Sequence, residues 1–285
     1  MTAPKGTQAM PRYRPDSNRK FHNRIAHRYD AIYDDPFWDF HDRLTWAHLK
    51  AHLPTNPQAN VLDLGCGTGK WGLRYLKLGY SVSFVDLSES MLSEVKTKLA
   101  TWSEQPDMAR HVARATLLQA NALQLDALPE ASFDLIVAMG DVVCLCGDPP
   151  SCLHQMVRVL KPGGIIAFTI DNLLAGLDHF TDSGDLDELI EFARTGKTKW
   201  LANREADQFE IQMLSPLRAE AMIRAQNLEL VSRIGKTILP VRNNRKFFKD
   251  PKAIERLVEI EQLLGRDPAA IGRASHVQYV VRKLV

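Results

Sequence analysis

The chain has 285 residues, 45% of them hydrophobic and 25% charged, with a formal net charge of +2. Those are the values of an ordinary globular protein, and so small a net charge excludes the whole-molecule positive field of a general nucleic-acid binder. No apolar run approaches the ~18 residues of a membrane-spanning helix, and the first residues lack the apolar stretch of a signal peptide, so a soluble, cytoplasmic protein is expected.

Residues 1–20 are polar, basic and proline-containing, and are expected to form a flexible tail. Residues 21–53, "FHNRIAHRYDAIYDDPFWDFHDRLTWAHLKAHLP", are helical in pattern and rich in aromatics, with Pro36 expected to split them into two short helices. From there strands and helices alternate. Val61–Asp63 is a short apolar strand, Lys70–Lys77 a helix and Val82–Val85 a second strand. Ser88 is placed to cap a helix whose Met91, Leu92, Val95 and Leu99 share one face. Thr116–Leu118 and Leu135–Ala138 continue the strand series. A helix carrying Leu153, Met156, Val157 and Leu160 stops at "KPGG", before the apolar strand "IIAFTI". Such alternation predicts a parallel, doubly wound sheet.

After residue 172 the rhythm changes. Residues 173–215 form an insertion with acidic "DSGDLDELIEF", basic "RTGKTKW" and strand-like "FEIQML", in which Trp200 and Phe209 suit a flap over a pocket. Residues 216–285 supply a capped helix, a strand, an amphipathic helix over 250–265 and a closing strand "HVQYVVRKLV", consistent with an antiparallel edge. The local basic run "VRNNRKFFKDPK" reads as a solvated loop. Four cysteines, Cys66, Cys144, Cys146 and Cys152, are too few and too clustered for a disulfide framework. A Cys-x-Cys pair near His154 is a poor start for a zinc knuckle, so no metal ligands are expected.

The chemistry is concentrated in "VLDLGCGTGKW", residues 61–71. Glycines between a first strand and its helix let backbone N–H groups approach a ligand without interference from Cβ. A dinucleotide loop would place its third glycine where Lys70 stands, and Asp63 would repel a pyrophosphate. A carboxylate there suits a positively charged ligand. The next strand, "VSFVD", ends in Asp86, where a carboxylate can accept from both hydroxyls of a ribose.

Together "VLDLGCGTGKW", "VDLSESML", "QANAL", "FDLIVAMGD" and "VLKPGGIIAFTI" resemble, in order and spacing, the class I S-adenosylmethionine-dependent methyltransferases of the small-molecule type. The resemblance covers residues 21–172 well and the final strands loosely. It implies a Rossmann-like α/β fold with a mostly parallel seven-stranded sheet, and S-adenosyl-L-methionine as cofactor. The implied organisation is lid helices over 21–53, a cofactor-binding core over 54–172, the insertion, and closing elements over 216–285. By the same resemblance Gly65 and Gly67 shape the turn around the methionine moiety, and Asp63 orients its ammonium. Asp86 holds the ribose, Leu87 and Met91 flank the adenine, and Asn121 (where the family more often has Asp) with the Ala122 backbone reads the adenine edge. Met139, Gly140 and Asp141 end the fourth strand near the reactive methyl, and Tyr29 and Tyr33 close over the cofactor.

The catalytic group is left open, with Asp141, His179 and Tyr33 as the leading candidates and Asp171, His22 and His27 as further bases. Methyl transfer to an O-, N- or C-nucleophile of a small-molecule metabolite is the leading expectation. An RNA-modifying methyltransferase of the wobble-uridine tRNA type and a catalytically silent S-adenosylmethionine-binding protein are the alternatives. Weak net charge and the lack of an appended RNA-binding module count against nucleic acid as the partner. A nicotinamide-dependent dehydrogenase is disfavoured by Lys70 and Asp63.

Overall fold

The computed structural model describes residues 15–199, 208–242 and 244–285. Five strands alternate with helices: β1 Asn60–Leu64, β2 Ser81–Asp86, β3 Ala115–Gln119, β4 Phe133–Ala138 and β5 Leu160–Asp171. A small hairpin, β6 Lys197–Lys199 with β7 Glu210–Gln212, precedes the closing pair β8 Leu228–Lys236 and β9 His276–Lys283. The main sheet has seven strands in the order β3-β2-β1-β4-β5-β9-β8. Its first five strands pair in parallel, and β9 lies antiparallel between β5 and β8.

β1 and β4 are central and mostly buried, which is why they are apolar but for Asn60 and Asp63 in one and Asp134 in the other. One side of the sheet packs Leu62, Ile136, Phe168 and Tyr279 against Leu153, Met156 and Ile223. The other packs Val61, Phe84 and Leu135 against Trp71, Tyr75, Leu92 and Val95. The helix Glu89–Ser103 starts as expected, with the Ser88 hydroxyl accepting from the Met91 N–H at 3.1 Å. The strand order reverses between β1 and β4, and a crevice opens there at the C-terminal strand ends, where doubly wound folds bind ligands.

Three local expectations are corrected. The expected tail, residues 1–20, overlaps a helix, Pro15–Ile25, held down by the amide of the buried Asn18, which donates to the Leu145 carbonyl at 3.1 Å. Residues 1–14 lie outside the described part. The break expected at Pro36 is present, but the helix after it is not short. Pro36 is the first residue of the 15-residue helix Pro36–Lys50, where a missing N–H costs nothing, and Asp35 caps that end by accepting from Phe37 N–H at 2.9 Å. The helix expected to stop at "KPGG" ends at Val159, so Leu160 is not in it, and "KPGG" itself belongs to β5, which carries it through an irregularity opposite Phe133–Leu135. In the insertion, Glu210–Gln212 of "FEIQML" pairs antiparallel with Lys197–Lys199 in a separate two-stranded sheet, in keeping with the small sheet or flap expected there.

A candidate cofactor and acceptor site

The crevice is a cavity of about 420 Å³, within the range of small-molecule sites. Its floor is the glycine loop. Gly67 has φ +53°, and a Cβ there would point into open space bounded only by the Tyr29 ring at 3.9 Å. Gly140, at the end of β4 with φ +77°, also has nothing within 4 Å of a built Cβ. A side chain at either position would take up ligand volume and would resist the left-handed backbone. Among the sequence-derived residues, Tyr29, Tyr33, Gly65, Gly67, Asp86, Leu87, Asn121, Ala122, Met139, Gly140 and Asp141 all line this one cavity.

Asp86 is built into the loop. One carboxylate oxygen accepts from Gly67 N–H and the other from Ser88 N–H, each at 2.8 Å. Burial raises its pKa against the pull of those N–H donors, with Ser88 the stronger. Asn121 folds back on its own turn, its side-chain oxygen accepting from Leu123 N–H at 3.0 Å.

Two expected cofactor contacts are displaced from the wall. Asp63 is 1% exposed and lies beneath the loop, accepting from Gly72 N–H at 2.7 Å, with its carboxyl pushed up to about 7, chiefly by burial. Met91 is fully buried and packs with Ile25 and Ala26 of the N-terminal helical segment, apart from Leu92 and Val95, which pack on the sheet. Neither residue lines the cavity. His27 is exposed and away from it, whereas His22 and Asp171 line it. His179 stands in the helix Leu173–Ser183, but its side chain, like Trp200, lies outside the described residues.

The N-terminal helices form the roof. The Tyr29 and Tyr33 rings meet at 4.8 Å, and Tyr33 meets Trp38 at 5.0 Å. Phe209 of the insertion reaches the roof, 5.4 Å from Phe21 and 5.8 Å from His22 between ring centres. The roof is clasped to the loop by Asp30, which accepts from the Thr68 hydroxyl at 2.5 Å and pairs with Lys98 at 2.6 Å. Asn23 accepts from the Ser88 hydroxyl at 2.5 Å and donates to Glu89 at 2.8 Å.

At the other end of the cavity Asp141 and Asp171, both candidates from the sequence, join a polar cluster with His276 and Lys236, which the sequence did not reveal. In the sheet register Asp171 faces His276 across β5 and β9, and His276 faces Lys236 across β9 and β8. His276 Nε2 lies 3.3 Å from Asp171 and 3.5 Å from Asp141. Asp141 holds a left-handed backbone, φ +61°, rare for a residue with a side chain and worth noting at a strand end facing a cavity. Its N–H donates to the Thr169 hydroxyl at 3.0 Å. Burial and then Asp171 push its carboxyl up to about 6, while Asp141 and Asp171 overcome burial to hold His276 above the ordinary histidine value. His41 stacks edge-on at 5.2 Å from His276 and is kept neutral, its pKa pushed down to about 3 by burial and then by Lys236. Two carboxylates and an imidazole are also a donor set for a divalent cation, but the ammonium of Lys236, an internal cation on the neighbouring strand, argues against a second one. All four cysteines are buried free thiols, and Cys66 and Cys144 are pushed well up by burial.

Residues 61–164 match the methyltransferase domain family. A malonyl-(acyl-carrier protein) O-methyltransferase from Enterobacter lignolyticus is 33% identical over 123 residues, 42% of this chain and 42% of that protein. A demethylmenaquinone methyltransferase from Leptospira interrogans is 30% identical over 151 residues, 52% of this chain and 57% of its own length. The chain spans about half the length of the curated relatives it matches. In three dimensions the CcbJ methyltransferase of Streptomyces caelestis superposes with a TM-score of 0.59 at 19% identity, covering 93% of this chain and 98% of that one, a likeness of fold. Residues 61–164 thus carry a methyltransferase domain, set in a fold shared with solved methyltransferase structures.

Proposed function

We propose that this protein transfers the methyl group of S-adenosylmethionine to an oxygen, nitrogen or carbon nucleophile of a small-molecule metabolite. The observation that carries the reading is a single roofed cavity with two chemically different ends. Gly67, Asp86, Leu87, Asn121 and Ala122 line one, and Asp141, Asp171 and His276 line the other. Open space over Gly67 and Gly140 fits a ligand lying close against backbone. Asp86 would hold the ribose, Leu87 and Asn121 the adenine, and Tyr29 and Tyr33 would cover the reacting end.

The cofactor supplies an electrophilic methyl on sulfonium, so the protein's task is alignment and exclusion of water. The roof of Tyr29, Tyr33 and Phe209 does the second. For an acceptor with an exchangeable proton, Asp141 is the group best placed to take it: it follows Gly140 directly, one carboxylate oxygen has no hydrogen-bond partner, and its pKa near 6 suits a base at neutral pH. His276 positions it and shares the charge. The two relatives are named for acceptors as different as malonyl-(acyl-carrier protein) and demethylmenaquinone, which supports substrate choice by the helices and insertion outside the shared domain. The test is incubation with methyl-labelled cofactor and, separately, metabolite and tRNA extracts. Label should enter small molecules; label entering tRNA alone would overturn the reading.

A further inference from the structure

Lys236 is the most unusual charge in the molecule. It is 1% exposed, yet it lines the cavity. Its ammonium makes one hydrogen bond, donating to the Thr45 hydroxyl at 2.8 Å, and among the described residues no carboxylate oxygen comes within 4.0 Å of it. The nearby acids are otherwise engaged: Asp141 and Asp171 share His276, and Asp42 pairs with Lys70 at 2.7 Å. A buried cation with unused donors is strongly unfavourable unless something anionic completes it. The fold nevertheless fixes it there. The turn after β8 has a left-handed Thr237, φ +55°, and the buried Glu261 carboxylate accepts from Ile238 N–H at 3.0 Å and Leu239 N–H at 2.8 Å.

A second cavity, of about 430 Å³, shares Trp38 and His276 with the first and carries Arg242 and Arg273 on its wall, with Asp178 the one acid there among the described residues. Arg242 lies over the Phe37 and Trp38 rings at 5.6 and 5.5 Å. Cationic side chains therefore mark both the approach to Trp38 and the chamber behind it. This surface is remote from Asp86 and Asn121, which line only the first cavity.

We propose that Lys236 is the anchor for an oxyanion of the methyl acceptor, which is therefore a small organic acid approaching past Arg242 and Arg273. The proposal rests on the methyl-transfer reading and adds the acceptor's chemical class. Lys236 is a specificity-determining residue in it: the ammonium contributes two free N–H donors and a full charge in a water-poor site, where a charge-assisted bond is strong. An uncharged isostere would leave that ammonium unpaired and is rejected for that reason.

The experiment is calorimetric titration of the full chain with benzoate and with benzamide as probes, each with S-adenosylhomocysteine absent and present, for wild type and Lys236→Met. Expected is benzoate binding at least about tenfold tighter than benzamide in wild type, and loss of that preference in Lys236→Met with S-adenosylhomocysteine affinity unchanged. Benzoate affinity of wild type should also fall as pH rises past about 8, where burial places the Lys236 pKa against the opposing pull of Asp141, Asp42 and Asp171. His41 and His48, held neutral chiefly by burial, and His276, raised by its two acids, are the other titratable groups that feel the Lys236 charge. A pH dependence retained in Lys236→Met would assign the effect to His276 and overturn the proposal. The wild-type comparison of benzoate with benzamide tests the proposal even if Lys236→Met fails to fold. Equal binding of both probes to wild type, or a benzoate preference retained by Lys236→Met, would overturn it. Loss of S-adenosylhomocysteine affinity in Lys236→Met would overturn it too, by assigning Lys236 to the cofactor carboxylate. Failure of wild type to bind S-adenosylhomocysteine would instead overturn the methyl-transfer reading.

Discussion

Replacing Asp86 with asparagine changes neither volume nor shape, but it removes a charge and one acceptor. Both carboxylate oxygens are in use at 2.8 Å, one on Gly67 N–H and one on Ser88 N–H. An amide can satisfy only one of them and must turn its NH₂ towards the other donor. A hydrogen bond to a charged group contributes about 1.5–3 kcal/mol, so the free protein should lose about that much stability. At about 2–4 °C per kcal/mol for chains of this order of size, the melting temperature should fall by about 3–12 °C. The ribose hydroxyls lose a charged acceptor as well, which should weaken S-adenosylhomocysteine by about tenfold to a hundredfold. There is a pH signature. Burial raises the Asp86 pKa in the free protein, and ligand hydroxyls favour its ionised form. Wild-type affinity should therefore decline as pH falls through that raised pKa, whereas Asp86→Asn should be flatter over the same range. Calorimetry and thermal melts at several pH values measure both effects. If Asp86→Asn lowers the melting temperature while keeping full ligand affinity, Asp86 braces the loop and does not hold the cofactor.

Gly67→Val should abolish S-adenosylhomocysteine binding while the fold survives, since the added side chain meets open cavity rather than core; near-normal affinity would show that this is not the binding loop. Asp63→Asn keeps an acceptor for Gly72 N–H and removes a buried charge whose pKa is pushed up to about 7. Because the folded pKa lies above the unfolded one, ionised Asp63 weighs against folding at pH above about 7, so melting at pH 8 should be unchanged or higher in the variant. A fall in ligand affinity there would restore Asp63 to the cofactor site. Tyr29→Phe and Tyr33→Phe should lower turnover with little change in melting temperature, and stability loss with full activity would place the tyrosines in the core. Dialysis against a chelator should leave turnover unchanged; loss rescued by a divalent cation would show that Asp141, Asp171 and His276 hold a metal.

The cofactor end of the cavity was legible because its residues are local in sequence. Gly65 and Gly67 lie in the loop after β1, Asp86 ends β2, and Gly140 follows β4, so strand–helix alternation alone brings them to one sheet edge. The acceptor end was not. His276 begins an antiparallel strand and Lys236 ends the edge strand, and only the register of β5, β9 and β8 sets both beside Asp171. The signals were present in "RIGK" and "HVQYVV", but with no pairing partner their polar ends read as ordinary strand termini. Met91 was misplaced for a related reason: helical periodicity showed it on an apolar face, without showing that the N-terminal helix packs on that face. Asp63 behaved similarly, since Gly72, one helical turn into Lys70–Lys77, takes its carboxylate below the loop.

The most direct measurement is a calorimetric titration of the full chain with S-adenosylhomocysteine and, separately, with NAD, paired with hydrogen exchange of the two complexes. One-to-one binding of S-adenosylhomocysteine, no heat from NAD, and added protection in the glycine loop and at Tyr29–Tyr33 are the predicted result. Binding of NAD without S-adenosylhomocysteine, or S-adenosylhomocysteine binding that leaves the loop and the two tyrosines unprotected, would contradict the account.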